Sequence, residues 1–231
     1  IGQSIWLDSI SRAMLRSGSL AEMIEKGISG LTSNPTIFDK AVSESDLYDE
    51  EIKNMFDLGR NVSEIFESIA VSDVRSAADL LFDIYKKTRF LDGYVSIEVS
   101  PKLANNSEGT ITEAKRIWAS IDRPNIMIKV PGTEGGANAI RTLIGLGINV
   151  NVTLLFSVEA YRRSANAYLE GLNDYLNSGG TSVSKIASVA SFFVSRIDTA
   201  IDSKLTEANL KEKQASQMLG TRINYSPNFL I

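Results

Sequence analysis

A chain of 231 residues, 43% hydrophobic and with a formal charge of −4, has the length for one large core and no broad basic field for nucleic acid or an anionic membrane. It contains no His and no Cys, which removes imidazole bases, thiol nucleophiles, disulfides and thiolate zinc sites, and leaves carboxylates, lysine and hydroxyls to carry any catalysis. No run approaches the roughly 20 consecutive apolar residues of a membrane span and no charged leader precedes the first strand, so a soluble cytoplasmic protein is expected.

Short apolar runs alternate with longer segments of helical period, as in repeated βα units around a parallel sheet. The first strand is predicted over 4–8, with Trp6 and Asp8 on one side of it. Ser19 and Glu22 have the spacing of a capping box for the helical segment ending at Gly27. A second strand is predicted over 30–34. The span 45–90 that follows is long and helical in pattern, so several helices are expected there rather than one crossover.

The third strand, 93–99, sorts into two rows: Val95, Ile97 and Val99 on one side, Tyr94, Ser96 and Glu98 on the other. Thr110 and Glu113 suggest a second capping box ahead of Trp118. Strand four, 125–130, sets Met127 and Lys129 on one side. Strand five, 148–155, puts Ile148, Val150, Val152 and Leu154 in an apolar row, with Asn149, Asn151 and Thr153 opposite. The sixth strand is predicted over 185–191.

A sheet covered by helices on both faces reads as continuously apolar, so a repeated polar row needs a cause. A TIM (β/α)8-type barrel supplies one, because the apolar row packs outward on helices while the polar row points inward and lines a pocket at the C-terminal mouth. An antiparallel sheet with its polar row in water is the alternative, but the long helical intervals argue against hairpins. One domain, 1–231, is expected.

Asp8, Asn34, Glu98, Lys129, Asn151, Thr153 and Ser191 all fall at or near C-terminal strand ends, where this architecture gathers its chemistry. Lys129 lies in the apolar stretch 126–130, where an ammonium is costly to bury without a partner, and Schiff-base chemistry needs a neutral amine. From burial alone it reads equally well as a lysine paired with Glu98 or Asp8 to settle buried charge. Those two carboxylates are the candidates for proton transfer, although an Asp after a strand also serves as a helix N-cap. Asn34, Asn151 and Thr153 offer neutral hydrogen bonds suited to sugar hydroxyls or an ordered water, or equally to a satisfied polar core. Arg196, just beyond strand six, and Ser191 could hold an anionic group, though an Arg near a helix start is more often solvated. The glycines of 130–136 lack the Lys-Ser/Thr ending of a P-loop and are expected to shape a turn.

The chain resembles the transaldolase family through WLD at 6–8, TSNPTIF at 32–38, IMIKVPGTEGG at 126–136, NVTLLFS at 151–157 and SFFVSRID at 191–198, five motifs in the family's order. The resemblance implies transfer of a dihydroxyacetone unit from fructose 6-phosphate or sedoheptulose 7-phosphate to an aldose phosphate, in the non-oxidative pentose phosphate pathway. Sugar phosphates would be its partners, with no metal or organic cofactor, in a monomer or homodimer. In family terms Lys129 looks like the Schiff-base lysine and Asp8 like the acid/base for the C4 hydroxyl. Glu98 and Thr153 look like the pair holding a catalytic water. Asn34, Asn151 and Ser191 resemble contacts to the dihydroxyacetone part, and Arg196 the phosphate anchor. Phe193 favours transfer over release, because the related fructose 6-phosphate aldolases carry a tyrosine there.

The family also requires two more strands after Arg196, and only 221–231 remains for them, interrupted by Pro227. The expectation is therefore a barrel lacking its last two strands and the phosphate contacts on the seventh. With Ile1 in place of an initiator Met, the sequence reads as part of a longer product, or else as a sugar-phosphate-binding fragment without catalysis.

Overall fold

The computed structural model describes residues 2–207. Six parallel strands, each beside the next in chain order, form one curled sheet alternating with helices, the arrangement of a TIM-type barrel over six of its eight strands. They are β1 (Ile5–Leu7), β2 (Ile28–Thr32), β3 (Val95–Glu98), β4 (Ile126–Pro131), β5 (Val150–Leu155) and β6 (Ser188–Phe192). The segment 221–231 lies outside the described residues.

Two short helices, α1 (Arg12–Ser17) and α2 (Ser19–Glu25), link the first strands, and α3 (Pro35–Ser43) follows β2. The long interval before β3 holds a 3-10 turn at Asp46–Tyr48, α4 (Asp49–Asp57) and the 26-residue α5 (Val62–Lys87), so the expectation of several helices holds. Then α6 (Ser107–Ile121), α7 (Glu134–Gly145), α8 (Val158–Asn177) and α9 (Ser195–Glu207) each follow a strand. Among the described residues no helix is long and apolar enough to cross a membrane.

Alternation within the strands separates two layers. Val95, Ile97, Ile126, Ile128, Val130, Val150 and Val152 join the main core with Val74, Ala77 and Leu81 of α5, Ile117 and Ile121 of α6, and Ile140 and Leu143 of α7. On the inner side Tyr94 and Met127 pack with Trp6, Val189 and the α5 residue Tyr85. Trp6 lies flat against Gly30, where a Cβ would stand 2.4 Å from the indole, so only glycine lets β1 and β2 close over that ring. Each buried aliphatic side chain contributes about 1.5–3 kcal/mol, against about 0.5–1.5 kcal/mol for a polar hydrogen bond. The outer layer therefore holds the fold, and the inner polar groups above Tyr94 and Met127 are free to serve chemistry.

Three local expectations are corrected. Ser19 does not cap α2: it is the first helical residue, and the cap position belongs to Gly18, whose φ of +79° also ends α1. Thr110 lies inside α6, which starts earlier because the Asn106 side chain accepts from the Gly109 N–H. The reciprocal capping box is at Asn61 and Glu64, opening α5. Finally, Leu154 leaves the apolar row. It adopts φ +60°, the pairing with β6 shifts between Val152 and Leu155, and Leu155 enters the core in its place.

Candidate functional site

Register brings the inner polar residues of three strands to one level, because Glu98 pairs with Lys129 and Lys129 with Asn151. Paired residues of parallel neighbours share a side, so all three side chains point inward. The Lys129 side chain is 8% exposed and that of Glu98 12%. Lys129 Nζ donates to the Ser33 carbonyl at 2.9 Å and stands 3.5 Å from Glu98 Oε2.

That geometry bears on the two meanings of a buried lysine. A pair kept only to settle charge gains most at about 2.7–2.9 Å with its remaining donors satisfied. Here the carboxylate is farther off, and among the described residues the one hydrogen bond of the amine goes to a neutral carbonyl. The partner is Glu98, not Asp8.

Around this pair runs a line of neutral groups. Ser191 Oγ donates to Asn151 Oδ1 at 2.9 Å, and Asn151 Nδ2 donates to Ser96 Oγ at 3.0 Å, linking β6, β5 and β3. Asn151 thus has a fixed orientation before any ligand arrives. Thr153 is buried one inward step further along β5, opposite Pro131. Thr32 pairs with Ser96, and its Oγ1 is buried without a hydrogen-bond partner among the described residues.

The remaining predicted residues sit around this group. Asn34 caps α3 by accepting from the Ile37 N–H at 3.0 Å, so its side-chain oxygen is occupied. Asp8 follows β1, is exposed, and makes no hydrogen bond or ion pair among the described residues. It is not a helix cap, since Ser11 takes that role for α1 by accepting from the Met14 N–H. Phe193 stacks on Phe156, and the Arg196 guanidinium lies over the Phe193 ring at 4.3 Å. A cleft of about 350 Å³ reaches Ser33, Asn34 and Glu98 but lies between the end of β3 and the helices, lined by Phe38, Phe66 and Val99, and Lys129 does not line it.

Sequence reasoning therefore missed three contributors: the Ser33 carbonyl, the Ser96 hydroxyl and the unpartnered Thr32. Ser96 carried a usable signal, as a member of the polar row that also holds Glu98, and Thr32 as a polar residue at the C-terminal end of its strand; a backbone carbonyl carries none. Among the described residues no acidic cluster is placed to hold a metal ion.

The chain is 50% identical over 208 residues to a transaldolase of Trichodesmium erythraeum, covering 90% of this chain and 54% of that protein. It is 50% identical over 199 residues to transaldolase 2 of Nostoc punctiforme, covering 86% and 52%, and 47% identical over 215 residues to a transaldolase of Thermobifida fusca, covering 93% and 58%. It spans little more than half the length of these curated relatives. With residues 5–225 matching the model of the transaldolase/fructose-6-phosphate aldolase family, the chain belongs to that family.

Proposed function

We propose that this chain carries the reactive half of a transaldolase, with Lys129 as the Schiff-base nucleophile. The observation that carries the reading is the buried Lys129 Nζ, loosely paired with Glu98 and, among the described residues, hydrogen-bonded only to a backbone carbonyl. The neutral amine adds to the ketone carbon of a ketose phosphate. A proton passes to the new hydroxyl, water leaves, and an iminium ion remains. Glu98, with a water held between it and Thr153, moves the protons of these steps.

Asp8 then takes the proton of the C4 hydroxyl while the C3–C4 bond breaks, releasing an aldose phosphate and leaving an enamine on Lys129. Asn34, Asn151 and Ser191 hold the bound dihydroxyacetone part, and Arg196 anchors the phosphate. The enamine attacks the aldehyde carbon of an acceptor aldose phosphate, and water hydrolyses the resulting imine. Such a reaction joins the sugar phosphates of the non-oxidative pentose phosphate pathway in the cytoplasm. Phe193 offers no hydroxyl to assist release of free dihydroxyacetone, which favours transfer over aldolase turnover.

The test uses the complete natural polypeptide, incubated with fructose 6-phosphate and borohydride. The expected result is a reduced three-carbon adduct on the peptide bearing Lys129, with multiple turnovers only when an aldose phosphate acceptor is present. An active protein whose Lys129 peptide stays unmodified would falsify the lysine assignment. Continuous release of dihydroxyacetone without acceptor would identify an aldolase instead.

A further inference from the structure

The bulge in β5 has a neighbour that the reaction scheme leaves without a role. Leu154 holds φ +60°, a conformation that a leucine adopts only under constraint from its surroundings. By turning Leu155 into the core, the bulge brings Phe156 to the mouth, where it is 45% exposed. A large apolar ring at an exposed strand end gains little from burial. It stacks instead on Phe193, with ring centroids 5.3 Å apart and planes inclined by 18°.

The Phe193 N–H donates to the Leu155 carbonyl at 2.9 Å, which ties the end of β6 to the bulged segment. Arg196 Cζ then lies 4.3 Å from the Phe193 ring centroid. An exposed arginine samples many rotamers, and a planar guanidinium over an aromatic face samples fewer while leaving its in-plane N–H donors free. Phe156, Phe193 and Arg196 therefore form one connected stack, founded on the strained turn at Leu154.

We propose that Phe156 is a positioning residue: through Phe193 it holds the Arg196 guanidinium in place to receive the phosphate of the sugar. The inference rests on Arg196 being the phosphate anchor, and the experiment separates the two ideas. In the complete natural polypeptide, Phe156→Leu, which keeps apolar bulk without a ring, is expected to raise KM for fructose 6-phosphate about five-fold. It should weaken inhibition by inorganic phosphate by the same factor and leave kcat within about two-fold, while Phe156→Tyr restores both constants. In an Arg196→Ala background, Phe156→Leu should add nothing.

An Arg196→Ala protein that loses phosphate inhibition while Phe156→Leu keeps it overturns the positioning role alone. That role also fails if Phe156→Leu lowers kcat without moving KM, or acts equally with and without Arg196. Should Arg196→Ala itself leave phosphate inhibition unchanged, the anchor assignment falls and the positioning role with it.

Discussion

At the scale of single residues, Glu98 is where a structural and a chemical role diverge most. Its carboxylate is the sole acidic partner of Lys129 among the described residues, so removing it leaves a buried amine facing a carbonyl and neutral side chains. In the complete protein, Glu98→Gln keeps shape and hydrogen bonding while deleting the proton carrier. The expected outcome is a fall in kcat of about 100-fold or more, with slower borohydride trapping at Lys129. A carboxylate that only settled charge would lower the melting temperature and leave kcat of the folded enzyme intact. Lys129 itself was legible in the sequence, because a lysine within 126–130 sits among residues that must be buried. The Ser33 carbonyl was not, since every residue has one and only the path of β2 into α3 aims this one at the amine.

At the scale of elements, strand alternation was legible and departures from it were not. Six strand cores fell where apolar rows predicted them, because each outer row has to meet helices. The reversal at Leu154 left no trace, as nothing in the run NVTLLFS marks a residue for left-handed backbone, and leucine is a poor candidate for it. The capping boxes failed differently. A Ser or Thr three residues before Glu is common, and the alternative starts at Gly18 and Asn106 let α1 end and α6 begin without either. The box at Asn61 and Glu64 opens the longest helix, whose Val74, Ala77 and Leu81 back the sheet. Asn61→Ala should cost about 0.5–2 kcal/mol. In a protein of this size that lowers the melting temperature by about 2–4 °C per kcal/mol, readable by calorimetry, and an unchanged transition would mean water replaces the cap fully.

At the scale of the whole molecule, one buried network ties the first strand's helices to the long crossover. The Arg12 guanidinium on α1 donates to Asp73 of α5 at 3.0 Å and to Glu51 of α4, while the Tyr48 hydroxyl donates to Asp73 at 2.9 Å. The same hydroxyl accepts from the Arg12 backbone N–H at 2.7 Å. Burial pushes the Tyr48 hydroxyl up to about 12, so it remains a neutral donor throughout the working range. Asp73 is the contested group. Loss of water drives its carboxyl above the ordinary value of 3.8, the bonds from Tyr48 and Arg12 pull it back, and loss of water prevails. The folded chain then keeps a proton that the unfolded chain releases in the window just above 3.8, so this group's contribution to stability is full below that value and falls as pH rises through the window. Exposed carboxylates paired with cations, such as Asp174 with Arg141, are held low and act in the opposite direction, but salt screens them. Denaturant unfolding of wild type and Asp73→Asn at high salt should therefore show a wild-type advantage that is greatest at the acidic end and shrinks as pH rises. An advantage that widens with pH would mean that Arg12 outweighs burial and holds Asp73 ionised, making the network an ion pair first and a polar core second.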